Sequence, residues 1–117
     1  RNVGIKSVID MINTPNPLKS LWKANIIPDA VIIHRGRDEE RSFGAVIQYK
    51  NIAKIKGKWD VLVGVAGGVD QKEMHSDSFN GADIVEINVV RPTDKWKGLV
   101  IDSGIKERIE DYLKFVD

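Results

Sequence analysis

The chain has 117 residues, no cysteine, 42% apolar and 30% charged residues, and 18 Lys plus Arg against 17 Asp plus Glu for a net charge of +1. This composition excludes a disulfide scaffold, a thiol nucleophile and cysteine-bound zinc, and fits a reducing, cytoplasmic compartment. Near-neutral charge with no basic run argues against a nucleic-acid partner, and no apolar stretch approaches the roughly 20 residues of a membrane span.

The length suits one small domain over residues 1–117. The chain opens Arg1-Asn2-Val3 with no initiator Met and enters an apolar run almost at once. Domains usually begin with a few loose residues, so a piece of a longer chain is expected.

In chain order, the first strand is expected over Gly4 to Ile12. Pro17 opens a helix carrying Leu18, Leu21 and Trp22 at i, i+3, i+4. Ala30 to His34 and Asp60 to Ala66 are near-continuous β-branched runs, the pattern of parallel strands covered on both faces. Between them a helix from about Glu39 to Lys56 places Phe43, Val46, Ile47 and Ala53 on one side and stops at Gly57. Asp70, with Glu73 three residues on, marks a capped helix that ends near Asn80-Gly81. A fourth strand follows over Ala82 to Val90, then a loop. A last helix after Ser103 has Ile105, Ile109, Leu113 and Val116 as its apolar stripe. The tryptophans Trp22, Trp59 and Trp96 are too scattered for a stacking platform and read as packing.

The order is β-α-β-α-β-α-β with strand starts every roughly 20 to 30 residues, which fits an α/β fold: a small open parallel sheet or half of a (β/α)8 barrel. Both architectures put chemistry at the carboxyl ends of the strands. Those ends carry Asp10, His34-Arg35-Gly36-Arg37-Asp38, Gly67-Gly68, and Asn88 with Arg91. The amino ends carry only Gly4, Asp29, Asp60 and Asp83.

His34 offers proton transfer near neutral pH, and Arg37 beside it suits an anionic intermediate. Arg35 reads as an ion pair to Glu39 or Glu40. Asp10 is a general base, an orienting carboxylate, or a polar strand end. Gly67-Gly68 before a capped helix lets backbone N–H groups approach a phosphate, with Arg91 supplying charge. His75 reads as solvated, and His34 and His75 lack zinc-motif spacing.

The segments His34-Arg35-Gly36-Arg37-Asp38, Val65-Ala66-Gly67-Gly68-Val69-Asp70 and Gly81-Ala82-Asp83-Ile84-Val85 together resemble the orotidine-monophosphate decarboxylase superfamily. Ser7 to Asn13 and Asn88-Val89-Val90-Arg91-Pro92 resemble its hexulose-phosphate synthase branch, above all the synthase domain of archaeal bifunctional proteins that also carry a formaldehyde-activating domain.

The resemblance implies strands five to eight of a (β/α)8 TIM barrel with outer helices. It implies a carbon–carbon lyase joining formaldehyde to ribulose 5-phosphate through a metal-stabilised enediolate. His34 and Arg37 then handle protons and the one-carbon end, and Gly67, Gly68, Asn88 and Arg91 lie in the phosphate region. The family's Asp-x-Lys-x-x-Asp motif is absent from this chain. The ligands of the implied Mg2+ are therefore expected in the first half of the barrel, and the chain alone is expected to be inactive. Its partners would be a sugar phosphate and the first half of the barrel, an upstream domain or a second copy, since a half-barrel exposes strand edges and an apolar face. Decarboxylation of a ketogulonate or orotidine phosphate is the sister chemistry, and a non-catalytic half-barrel interaction domain is the non-enzymatic alternative.

Overall fold

The computed structural model describes residues 4–36, 49–96 and 98–114. Its elements are β1 (Val8–Asp10), α1 (Pro17–Ala24), β2 (Ala30–His34), α2 (Tyr49–Lys58), β3 (Leu62–Ala66), α3 (Gln71–Phe79), β4 (Ile84–Val85), β5 (Val89–Val90), β6 (Leu99–Val100) and α4 (Ile105–Leu113). Strands β1 to β4 form one sheet in sequence order, every neighbour parallel. The strand order has no reversal, as in a sheet wound in one direction and unlike a doubly wound one.

The two faces of this sheet differ. Val31, Val63 and Val65 point to one face and share a single buried cluster with Leu21 of α1, Ile52 and Ile55 of α2, and Met74 of α3. Residues of the other parity, which alternate to the opposite face, form the rows Val8–Ala30–Leu62 and Asp10–Ile32–Gly64–Ile84. None of them belongs to that cluster. Val8 is 60% exposed and Leu62 51% exposed, whereas Ala30 and Ile32 between them are buried. Parallel strands with helices on one face and an apolar second face are consistent with part of a barrel.

Local chemistry sets the helix ends. The Asn16 side chain accepts from the Lys19 N–H, Pro17 occupies the first turn, and Asn25 closes α1 in the left-handed conformation. The Asp70 carboxylate accepts from the Glu73 N–H at 2.8 Å, as the capping pattern predicts, and α3 stops at Phe79.

Several boundaries differ from expectation. β1 covers only Val8–Asp10. The expected fourth strand is split. β3 turns away at Gly67, so once the Glu86 N–H has bonded the Val65 carbonyl there is no backbone left to pair with. Val89–Val90 pairs instead with Leu99–Val100, inside the stretch expected to be a loop. Helix α2 runs through Gly57 to Lys58, and its buried residues are Ile52 and Ile55, with Ala53 exposed. The portion expected from Glu39 to Gln48, with Phe43, Val46 and Ile47, lies outside the described residues. In α4 no residue is buried, and Ile109 and Leu113 are exposed; Val116 lies outside the described residues. Trp59 packs against the core, whereas Trp22 is exposed, with the Lys58 ammonium 4.3 Å from its ring centre.

Candidate functional site

Strand register brings two of the expected residues together. Asp10 ends β1 and His34 ends β2, two pleat positions further on and on the same open face. The His34 Nδ1 lies 3.0 Å from each Asp10 carboxylate oxygen. Asp10 Oδ1 also accepts from the Ile12 N–H at 3.1 Å, which fixes the carboxylate. A carboxylate only accepts, so Nδ1 carries the proton in this contact and Nε2 is the free ring nitrogen. An imidazole oriented by a carboxylate is suited to proton transfer through Nε2.

The Gly67-Gly68 turn lies on the same rim, because His34 is in register with Ala66. Both glycines have positive φ, 104° and 67°. A Cβ at 67 would run into the Arg35 carbonyl oxygen, so only glycine fits there. The pleat turns Arg35 away from His34, toward the helix-covered side. There its buried guanidinium makes three contacts: Nε donates to the Gly67 carbonyl (3.0 Å), and one terminal nitrogen donates to the Gly68 carbonyl (3.1 Å) and to Glu73 Oε2 (3.0 Å). Among the described residues Arg35 thus pairs with Glu73 of α3; Glu39 and Glu40, its expected partners, lie outside the described residues. In a trans peptide the N–H points opposite the carbonyl. With both glycine carbonyls held by Arg35, the Gly68 and Val69 N–H groups point away from the guanidinium.

Beneath Arg35 lies a group that the sequence reading passed over. Asp77 of α3 is fully buried, and among the described residues neither of its oxygens has a hydrogen-bond partner. Burial, reinforced by the Glu73 charge, pushes its carboxyl up to about 7, against a smaller lowering by Tyr49 and Arg35. The Tyr49 hydroxyl is raised by its own burial, then by Asp77 and Glu73. Asp70, Glu73 and Asp77 sit at i, i+3 and i+7 of α3, a legible acidic stripe. The odd–even parity of β2 after His34 was the available signal for Arg35.

The remaining expected residues are placed as follows. Arg37 and Asp38 lie outside the described residues. Asn88 precedes β5, and its carbonyl accepts from the Leu99 N–H at 2.7 Å. Arg91 has a side chain 78% exposed and is bound within its own loop, its N–H to Asp94 Oδ2 at 2.7 Å and its guanidinium to Asp94 Oδ1 at 3.5 Å. Both belong to the β5–β6 pair and are not on the strand ladder that carries His34 and the glycines. His75 is exposed on α3. Among the described residues no group of three His, Asp or Glu is arranged to hold a metal ion. Among the described residues no helix is long and apolar enough to cross a membrane.

Comparison with known proteins gives several relatives named bifunctional enzyme Fae/Hps. The chain is 41% identical over 90 residues to the bifunctional enzyme Fae/Hps of Methanocella arvoryzae, covering 74% of this chain and 22% of that protein. It is 31% identical over 117 residues to the bifunctional enzyme Fae/Hps of Methanosphaerula palustris, covering 97% of this chain and 27% of the relative. The protein of that name from Archaeoglobus fulgidus is 37% identical over 87 residues. The chain thus spans about a quarter of the length of the curated relatives it matches. It is related to the Fae/Hps enzymes of archaea through that segment. No family description matches the chain, and no solved structure matches it.

Proposed function

We propose that this chain supplies strands five to eight of a hexulose-phosphate synthase barrel, and with them part of the site that joins formaldehyde to ribulose 5-phosphate. The observation that carries this reading is the His34–Asp10 pair on the same strand rim as the Gly67-Gly68 turn. The names of the relatives support it and favour the synthase over decarboxylation of a ketogulonate phosphate.

The reaction removes a proton from the carbon beside the ketose carbonyl, forms one carbon–carbon bond to formaldehyde, and returns a proton to the new hydroxyl. His34 Nε2 carries a proton in one of these steps, with Asp10 holding the ring. The Gly68 and Val69 N–H groups and the first turn of α3 take the phosphate. Arg37 stabilises the anionic intermediate, and Asn88 and Arg91 contribute only if the barrel closes and brings β5 to this rim. The divalent cation belongs to carboxylates outside this chain. The open face with Val8, Leu62 and Ile84 packs against the remaining strands or a second copy.

The test is formaldehyde-dependent consumption of ribulose 5-phosphate by the chain assembled with the strands that complete its barrel. We expect turnover that falls by about 100-fold in His34→Ala, the usual contribution of a positioned acid–base group. Turnover unchanged in His34→Ala would refute the reading. Carbon dioxide release from ketogulonate 6-phosphate without formaldehyde chemistry would transfer the site to the sister reaction.

A further inference from the structure

Three carboxylates lie along the inward side of α3 and its cap: Asp70, Glu73 and Asp77. Each neighbouring element presents a definite group to them. Arg35 comes from the end of β2 and bonds Glu73. Tyr49 comes from α2 and faces both Asp77 and Glu73. Tyr112 comes from α4 and faces Asp70. Asp70 uses one oxygen to cap the helix. Arg35 is the one cation acting on Asp77 among the described residues, and its donors are turned to Gly67, Gly68 and Glu73. Neither buried Asp77 oxygen has a donor in full hydrogen-bond geometry among the described residues, and the Tyr49 hydroxyl and Arg35 offset its burial only in part.

Such a site carries one proton too few if all three acids are ionised. A buried charge without a partner is costly, and neutralisation is the cheapest remedy. A proton on Asp77 removes its repulsion of Glu73, one helical turn away. Loss of that proton sets a second anion beside Glu73 in competition for the single guanidinium. Since that guanidinium holds both glycine carbonyls, the competition is felt at the Gly67-Gly68 turn.

We propose that Arg35 is the positioning residue of the Gly67-Gly68 turn and that Asp77, carried as a neutral acid beneath it, keeps Glu73 and Arg35 committed to each other, so that proton loss from Asp77 loosens the turn. The positioning follows from the contacts above; its consequence for ligand binding rests on the anion-binding role proposed for the turn.

The experiment is nuclear magnetic resonance of the labelled chain across pH 5 to 9, with inorganic sulfate as the probe because its charge does not change in that range. The Gly67, Gly68 and Val69 amide signals are expected to follow one titration together with the Asp77 side-chain carboxyl carbon. In Asp77→Asn the amide titration is expected to vanish. In Arg35→Lys, which keeps the charge but loses the fork, the Gly68 and Val69 amides are expected to exchange faster while the His34 ring signals stay in place. Sulfate affinity is expected to fall about fivefold as Asp77 ionises, the worth of one net hydrogen bond.

Turn amides that titrate in the unaltered chain while sulfate leaves them unmoved uphold the positioning and sink the anion-binding reading alone. A titration that persists in Asp77→Asn, or an Asp77 carboxyl that ionises fully below pH 5, overturns the inference. Should Asp77→Asn fail to fold, the carboxyl-carbon titration of the unaltered chain decides in the same way.

Discussion

Burying Asp77 without a partner makes folding sensitive to pH in a direction opposite to most carboxylates. Its carboxyl rises from an ordinary 3.8 to about 7 in the folded chain. Between those values the folded state holds a proton that the unfolded state has released, so stability falls as pH rises and levels off above about 7. The expected loss is on the order of 4 kcal/mol by the free energy of one pKa unit. Asp77→Asn should flatten that slope in urea titrations, and an unchanged slope would show that Asp77 is not its source. Asp83 runs the other way. Burial alone would raise it, but bonds from Lys56 and the Val63 N–H overcome this and hold its carboxyl below the ordinary value. Its contribution is present above the ordinary value and is lost as pH falls through the folded one. Maximal stability is therefore expected in mildly acidic solution. On the proposed synthase reading, Asp10→Asn should lower turnover of the chain assembled with the strands that complete its barrel by about 10-fold or more, within what a positioned acid–base group contributes. Gly67→Ala should abolish the turn by driving a methyl group into the Arg35 carbonyl.

The elements with dense β-branched runs were legible because short apolar runs of that composition, bounded by turn residues, fit the central strands of a parallel sheet. Ala30–His34 matches its expected span to the residue, and Asp60 to Ala66 is trimmed only to Leu62–Ala66. The α3 cap was equally readable, since Asp70 and Glu73 act within one turn. Strand four was not, because its continuity depends on where β3 stops, and that is set by the glycine turn rather than by its own residues. The α4 stripe misled for a related reason. Ile105, Ile109 and Leu113 have helical spacing, yet among the described residues nothing covers Ile109 and Leu113. Truncation separates the two cases. Ile52→Ala, in the fully buried cluster, should cost about 2–5 kcal/mol, whereas Ile109→Ser should cost less than about 1 kcal/mol. Equal losses measured by denaturant unfolding would mean that α4 is covered after all. In the site, His34, Asp10 and the diglycine were visible as strand-end residues. Arg35 was visible too, but its bond to Glu73 was not, since local spacing cannot reveal a partner 38 residues away.

Across the whole molecule, the direction of winding organises the chemistry. Four parallel strands in sequence order with helices on one face send every strand's carboxyl end to one rim. The open face then carries Asp10 and His34 at that rim and apolar residues below it. Closing this face against further strands would convert an exposed pair into a walled site, in which hydrogen bonds and charges act more strongly. If the imidazole and the glycine turn serve one ligand, ribulose 5-phosphate titrated into the labelled chain should move the His34 ring signals and the Gly67 to Val69 amides together. Both sets are expected to shift with the same saturation curve. Shifts confined to one set, or absent from both at millimolar ligand, would contradict a shared ligand.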